Sequence, residues 1–232
     1  MRITPITKMQ DIEGQARNLQ LQIWNERHEI WKGSPPDDPV LLLEPGIGLE
    51  IMGFEVQTVF ALGQHSFEGR LSEAAGLIDH NEMVVRISSR FSEKTQRFTA
   101  AHELGHAVLH DSNSGMLRDF AVSGPTHRRD PREAEADKFA SCFLMPRRLL
   151  ARQFMALFGC EQIIRGDARS FAVHGASHER TGLNQSDGRG LSLYLARAIG
   201  FDGRYFKSLA EQFKVSDTAM AIRLEELGLV GC

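Results

Sequence analysis

The sequence has few cysteines, almost no excess of charge and no long apolar run. Three cysteines in 232 residues are too few, and odd in number, for a disulfide framework, so a reduced chain is expected. The 27 basic and 30 acidic residues leave a net charge of −3, which argues against a protein that coats nucleic acid. The longest apolar stretches, such as 191–195, are too short to cross a bilayer, and residues 1–5 lack the apolar segment of an export signal. We therefore expect a cytoplasmic protein with no membrane span.

Breaks rich in proline and glycine divide the chain into four expected segments. Residues 1–38 are predicted to form an N-terminal helical segment, and residues 39–160 a core that begins with strands and continues with helices. A flexible glycine-rich loop, 161–190, and a C-terminal helical subdomain, 191–232, are expected to follow. The predicted strands lie in the stretch 41–88 and span 54–62, 74–79 and 83–88; the predicted helices after them span 93–111, 131–145, 147–160, 191–199, 205–213 and 217–227. This pattern predicts an α+β fold in which a small antiparallel sheet packs against helices.

The strongest chemical signal is a pair of histidines four residues apart, His102 and His106, with Glu103 between them. The segment around them is predicted to be helical because Ser92 is a suitable N-cap and no proline interrupts the run that follows. Residues i and i+4 lie on one face of a helix, so both imidazoles can reach one metal ion. Glu103 projects beside the pair, where it can act as general base toward water that zinc has made more acidic. The spacing is typical of a zinc-dependent hydrolase.

A catalytic zinc site needs a third protein ligand, and the sequence offers two places for it. His110 shares a helix face with His102 and His106, but a rise of about 1.5 Å per residue puts the outer two about 12 Å apart, which excludes His110 as a ligand of the same ion. The next predicted helix places Glu133 and Asp137 at i and i+4. One of these carboxylates is expected to bind the metal while the other accepts the N–H of a ligand histidine.

The two helical motifs, 98–110 and 133–146, resemble those of the ImmA/IrrE family of cytoplasmic metallopeptidases. The second motif closes with Leu144, Met145 and Pro146, as in that family, and the tail 209–216 matches as well. The glycine-rich stretch 165–190 departs from the family pattern. The resemblance implies a zincin-like core that holds one zinc ion.

The resemblance also assigns a role to each candidate residue. It implies that His102, His106 and Glu133 are the zinc ligands, that Glu103 is the general base, and that Asp137 is the carboxylate that supports a ligand histidine. Family members cleave or act on helix-turn-helix repressors of the XRE type, in mobile-element transfer or in stress response. The resemblance therefore implies a zinc metalloendopeptidase whose partner is a transcriptional repressor.

Several other features carry weaker chemical signals. A residue that stabilises the oxyanion is not identified, although five side chains have suitable chemistry: Tyr194, Tyr205, His127, Arg128 and Arg129. His174 and His178 are also four residues apart, but glycine and serine surround them, so a second metal site is not expected. A substrate peptide is expected to pair with the predicted strand 83–88.

The C-terminal tail has the spacing of a helix-turn-helix. Its second helix carries Arg223 against Asp217, Glu225 and Glu226, whereas recognition helices bring cations to phosphate. We therefore expect a structural support or a docking surface, and no direct binding to DNA. The alternative to the peptidase is a non-catalytic metal-containing regulator or sensor that binds a repressor or DNA through these helices. The presence of Glu103 favours the peptidase, because a site that only binds needs no base.

Overall fold

The computed structural model describes residues 5–67, 70–110, 116–120, 130–165 and 189–231. The chain forms two compact units, Met1–Leu144 and Met145–Cys232. Both units combine helices with short strands, so the predicted α+β class is confirmed. Among the described residues, no helix is both long enough and apolar enough to cross a membrane. The division into four segments stays a prediction, and most of the expected loop 161–190 lies outside the described residues.

Five helices of the first unit lie in the described ranges: α1 (Pro5–Ile30), α2 (Pro39–Leu42), α3 (Pro45–Ile51), α4 (Glu93–Leu109) and α5 (Pro131–Leu144). Helix α1 confirms the predicted N-terminal helix, and its buried side chains recur at helical spacing: Ile12, Ala16, Leu19 and Ile23. Gln20 on α1 donates hydrogen bonds to the carbonyls of Cys142 and Phe143 at 3.0 and 2.9 Å. These bonds fasten α1 to the end of α5.

The sheet of the first unit is mixed. Its strands are β1 (Glu55–Val59), β2 (Gln64–Phe67), β3 (Arg70–Asp79), β4 (Val84–Ser88) and β5 (Met116–Phe120). The order is β1-β4-β3-β2, with β5 paired to β3, and every pair is antiparallel except β1 with β4. The expectation of a wholly antiparallel sheet is therefore wrong for this pair. Strands β3 and β4 form an antiparallel hairpin. Strand β4 lies parallel to β1 because the chain reverses direction twice between them, once from β2 to β3 and once from β3 to β4.

The stretch before β1 is helical, whereas strands were expected from residue 41 onward. Pro39 and Pro45 each stand in the first turn of a short helix, α2 and α3, where a missing N–H costs nothing. Asp38 caps α2 by accepting a hydrogen bond from the backbone N–H of Val40 at 2.9 Å. Short apolar runs fit a strand and a buried helix equally well, and here the proline and aspartate signals decide for the helix.

The second unit contains helices α6 (Arg147–Phe158), α7 (Gly190–Arg197), α8 (Leu209–Gln212) and α9 (Asp217–Glu226) in its described part. Strand β6 (Ile163–Ile164) pairs with β9 (Val230–Gly231), and β7 (Gly200–Phe201) pairs with β8 (Arg204–Tyr205). The predicted helix 205–213 is wrong in its first half. Tyr205 belongs to the β7–β8 hairpin, and Ser208 caps a helix that begins only at Leu209.

Arg223 is the largest fully buried side chain of the second unit, with 1% exposure. Its Nε donates a hydrogen bond to the carbonyl of Met145 at 3.1 Å, and its Nη1 lies 3.0 Å from a carboxylate oxygen of Glu226. The basic residue of helix α9 is therefore part of the core of this unit and is not exposed for contact with DNA phosphates.

Candidate metal centre

Helix α4 presents the two histidines of the motif on its buried face. The helix begins after Ser92, whose side chain accepts a hydrogen bond from the backbone N–H of Thr95, as predicted for an N-cap. His102 and His106 are 2% and 1% exposed, and Glu103 is fully buried. Packing of α4 against α5 and against the strands thus holds the polar residues of the motif inside the unit.

Helices α4 and α5 approach each other closely because Gly105 lacks a side chain. A Cβ atom at this position would lie 2.9 Å from the Cα and 3.0 Å from the carbonyl oxygen of Ala136. These two small residues bring the backbones together. The first turn of α5, which carries Glu133, therefore lies beside the histidines of α4.

His102, His106 and Glu133 bring three ligand atoms to one point, all within 4.8 Å of one another. The Nε2 atoms of the two histidines are 3.0 Å apart. The carboxylate oxygens of Glu133 lie 3.2 Å from Nε2 of His102 and 3.4 Å from Nε2 of His106. Two imidazole nitrogens and a carboxylate oxygen in this arrangement fit a divalent metal ion.

The groups around the three candidate ligands favour the protonation states that a metal requires. Burial works to raise the pKa of Glu133, but hydrogen bonds with His102 and His106 outweigh it and hold that pKa well below the ordinary value. Asp137, one turn further along α5, lies 2.9 Å from Nδ1 of His102. With a metal bound in place of the Nε2 proton, this carboxylate would accept the Nδ1–H, and the Nε2 lone pair of His102 would be free to bind the metal.

The carboxylate of Glu103 lies against the sheet rather than among the three ligand atoms. A Cβ atom at Gly76 of β3 would be 2.4 Å from Oε1 of Glu103 and 2.5 Å from Cγ2 of Thr99. Gly76 is therefore the residue that makes room for this carboxylate, and the sequence analysis did not identify it. A single glycine inside an otherwise apolar strand was the available signal, since such a glycine often marks a close approach.

Comparison with known families agrees with this geometry. Residues 60–162 match the family model of Peptidase M78, described as the IrrE N-terminal-like domain. This stretch of the chain is similar to the metallopeptidase domain of the M78 family. The predicted resemblance to ImmA/IrrE metallopeptidases is thereby confirmed, and the prediction of a metallopeptidase hydrolase with it. The match covers less than half of the chain and includes the five residues of the expected metal centre: His102, Glu103, His106, Glu133 and Asp137. No match was found among curated proteins or among solved structures.

His110 follows the last residue of α4 and lies outside the group of three ligand atoms, as helix geometry requires. Its ring centroid is 5.2 Å from that of His106, and its Nε2 is 3.2 Å from the carbonyl oxygen of Arg132. Its Nδ1 is 4.0 Å from a carboxylate oxygen of Glu135. His110 therefore contacts both helices of the metal centre without sharing in the ligand set.

The structure describes two of the remaining candidates, Tyr194 and Tyr205, and both lie in the second unit. Tyr205 is 90% exposed in the hairpin of the second unit. Five residues named on sequence grounds lie outside the described residues: His127, Arg128, Arg129, His174 and His178. The expectation that a peptide pairs with 83–88 is wrong, because β4 already has β1 on one side and β3 on the other.

Proposed function

We propose that this chain is a zinc-dependent endopeptidase that cleaves a partner regulator such as a helix-turn-helix repressor of the XRE type. The observation that carries the proposal is the convergence of His102, His106 and Glu133 one residue away from the buried carboxylate of Glu103. Three nitrogen and oxygen ligands leave a coordination position open, which distinguishes a catalytic zinc site from a closed structural one.

Zinc held by these residues supplies a Lewis acid that polarises a peptide carbonyl and makes water a nucleophile near neutral pH. Glu103 acts as the general base, which takes a proton from the attacking water and returns it to the leaving amine. Asp137 keeps His102 in the tautomer that binds through Nε2. The chain thereby contributes a general base, metal ligands in a fixed orientation and a buried environment around them.

A peptide substrate that pairs with the sheet needs a strand with a free edge. Among the described strands of the first unit, β1, β2 and β5 are each paired with a single neighbour. Strand β5 is the neighbour of β3, and Asp119 on it is opposite Gly76, the residue in contact with Glu103. We therefore place the substrate on the outer edge of β5, with backbone hydrogen bonds as the means of recognition.

The decisive experiment compares Glu103→Gln with the wild-type chain. A candidate helix-turn-helix repressor of the XRE type is incubated with each protein and zinc, and cleavage is followed by mass spectrometry. The variant should cut at least about 100-fold more slowly, since general-base catalysis contributes that much or more, and it should bind zinc with the same stoichiometry. Glu93→Gln on the exposed start of the same helix is the matched control and should cut normally.

Each other result has a defined meaning. If Glu103→Gln cleaves as fast as the wild-type chain, Glu103 is not the general base. If the purified wild-type protein contains no stoichiometric metal, the proposed zinc site is contradicted. Release of the repressor from its operator without cleavage would instead support the non-catalytic regulator.

A further inference from the structure

His110 lies beside the metal centre although it cannot be a ligand there. Its side chain is only 6% exposed, and it stands at the C-cap of α4, one turn beyond His106. An imidazole that is packed this deeply loses its hydration and needs hydrogen bonds in return. Among the described contacts, the ring of His110 has one such hydrogen bond, with the backbone of α5.

The ring of His110 joins the two helices that carry the candidate ligands. Its Nε2 lies 3.2 Å from the carbonyl oxygen of Arg132, the residue directly before Glu133. A carbonyl oxygen only accepts, so Nε2 of His110 must carry a proton and donate it. The same ring packs on His106, with centroids 5.2 Å apart and planes inclined by 48°.

We propose that His110 is a positioning residue that sets the distance between the ligand His106 on α4 and the ligand Glu133 on α5. The contact of its ring with His106 limits how closely the two helices approach. Its hydrogen bond to the first turn of α5 limits how far they separate. The inference rests on the proposed metal site but not on peptidase activity. It predicts that the hydrogen bond, beyond the packing of the ring, contributes to metal affinity.

Two substitutions separate these contributions. His110→Phe keeps an aromatic ring of similar shape and removes the donor, whereas His110→Gln keeps an N–H donor on a side chain of similar reach. Zinc affinity is measured by competition with a chromogenic chelator, and cobalt is substituted for zinc so that its visible absorption reports ligand geometry. His28→Phe on the exposed part of α1 is the matched control.

The phenylalanine variant should bind zinc about 10- to 100-fold more weakly, which is the usual loss when a group that supports a ligand is removed. Its cobalt spectrum should shift, while the glutamine variant recovers most of the affinity and the wild-type spectrum. The melting temperature of the metal-free protein should change little in both variants and in the control.

Two outcomes would overturn the proposal. Wild-type affinity and spectrum in His110→Phe would show that the hydrogen bond does nothing for the metal, and equal losses in His110→Phe and His110→Gln would show that only packing matters. Failure of the peptidase hypothesis is detected separately. If the wild-type chain binds zinc but cleaves no repressor, the zinc affinities of the wild-type chain and of the His110 variants can still be measured and compared.

Discussion

Gly76 has no side chain, and this leaves space for Glu103, the residue that we propose as the general base. In Gly76→Ala the new Cβ would lie 2.4 Å from Oε1 of Glu103, so the carboxylate must move. Peptidase turnover should fall by at least tenfold while zinc affinity stays the same, because the three atoms nearest to the added methyl group belong to Glu103 and Thr99 and not to the candidate ligands. Measured turnover and zinc affinity of the variant test this separation, and a parallel loss of both would contradict it.

A second substitution checks the cause of that loss. The added Cβ at Gly76 would also lie 2.5 Å from Cγ2 of Thr99, and Thr99→Ser removes that atom. The double variant should recover part of the turnover, because the strand and helix regain room to keep the carboxylate in place. No recovery would indicate that backbone strain in β3, rather than crowding at the carboxylate, causes the loss.

Asp137 offers a test of how the protein prepares His102. Asp137→Ala removes the acceptor 2.9 Å from Nδ1, so the imidazole loses its fixed tautomer and orientation. Zinc affinity should fall about 10- to 100-fold, whereas Asp137→Asn, which keeps an oxygen acceptor, should lose less. Chelator competition measures both, and unchanged affinity in the alanine variant would show that the contact is incidental.

His80 gives the unit a dependence of stability on pH. Burial lowers the pKa of this imidazole below its ordinary 6.5; positive charge on His106 and on His110 acts in the same direction, and Asp79 opposes it. The unfolded chain therefore takes up the proton first as the pH falls. The contribution of His80 to stability is complete above pH 6.5 and is lost progressively below it.

His80→Phe should remove this dependence while it preserves the edge-on contact with Phe54, whose ring centroid is 5.5 Å away. Urea unfolding of the metal-free proteins between about pH 8 and pH 5 measures the difference in free energy of unfolding between wild type and variant. That difference should be constant at high pH and change below about pH 6.5 by at most about 1.4 kcal/mol per pH unit. Parallel curves over the whole range would contradict the assignment.

At the scale of the elements, the helices of the site and three strands of the sheet were predictable, whereas the pairing of distant strands was not. Ser92 and Pro131 mark the starts of α4 and α5, and helical spacing alone puts His102 beside His106. Such signals involve residues that are close together in the chain, so the sequence alone is enough to predict these helices. The contact of Gly76 with Glu103 and the central place of β4 depend on pairing between distant strands, which no local pattern records.

The contact between α4 and α5 depends on Gly105 and can be tested directly. In Gly105→Ala the new Cβ would lie 2.9 Å from the backbone of Ala136, which cannot swing aside as a long side chain can. The helices must separate, so the free energy of unfolding should fall by about 1–3 kcal/mol, and zinc binding should weaken. Urea unfolding and chelator competition measure the two effects.

Gly14→Ala is the matched control for that substitution. Gly14 also lies inside a helix, but nothing is within 4 Å of its added Cβ. The change should raise the free energy of unfolding by about 0.5–1 kcal/mol, because alanine loses less conformational freedom in a helix than glycine does. Destabilisation of similar size in both variants would show that the close approach at Gly105 is not the cause.

For the whole molecule, the question is whether the chain acts on DNA or on protein. Helix α9 exposes Asp217 and Glu226, and its one cation, Arg223, is buried. We therefore expect no binding to duplex DNA at physiological salt, as measured by fluorescence anisotropy with a labelled duplex. Binding that weakens with added salt and with Lys214→Gln, an exposed neighbour of α9, would contradict this expectation.

The candidate ligands come from two helices whose nearest approach is set by Gly105 and Ala136, although His102 and Glu133 are 31 positions apart in the chain. A metal ion bound between them closes a loop through the intervening residues. The entropic cost of such closure grows only by about 0.6 kcal/mol for each doubling of length. Insertions between the two motifs that leave strand β5 intact should therefore alter metal affinity far less than a single methyl group at the helix contact, whereas the spacing inside each motif cannot change.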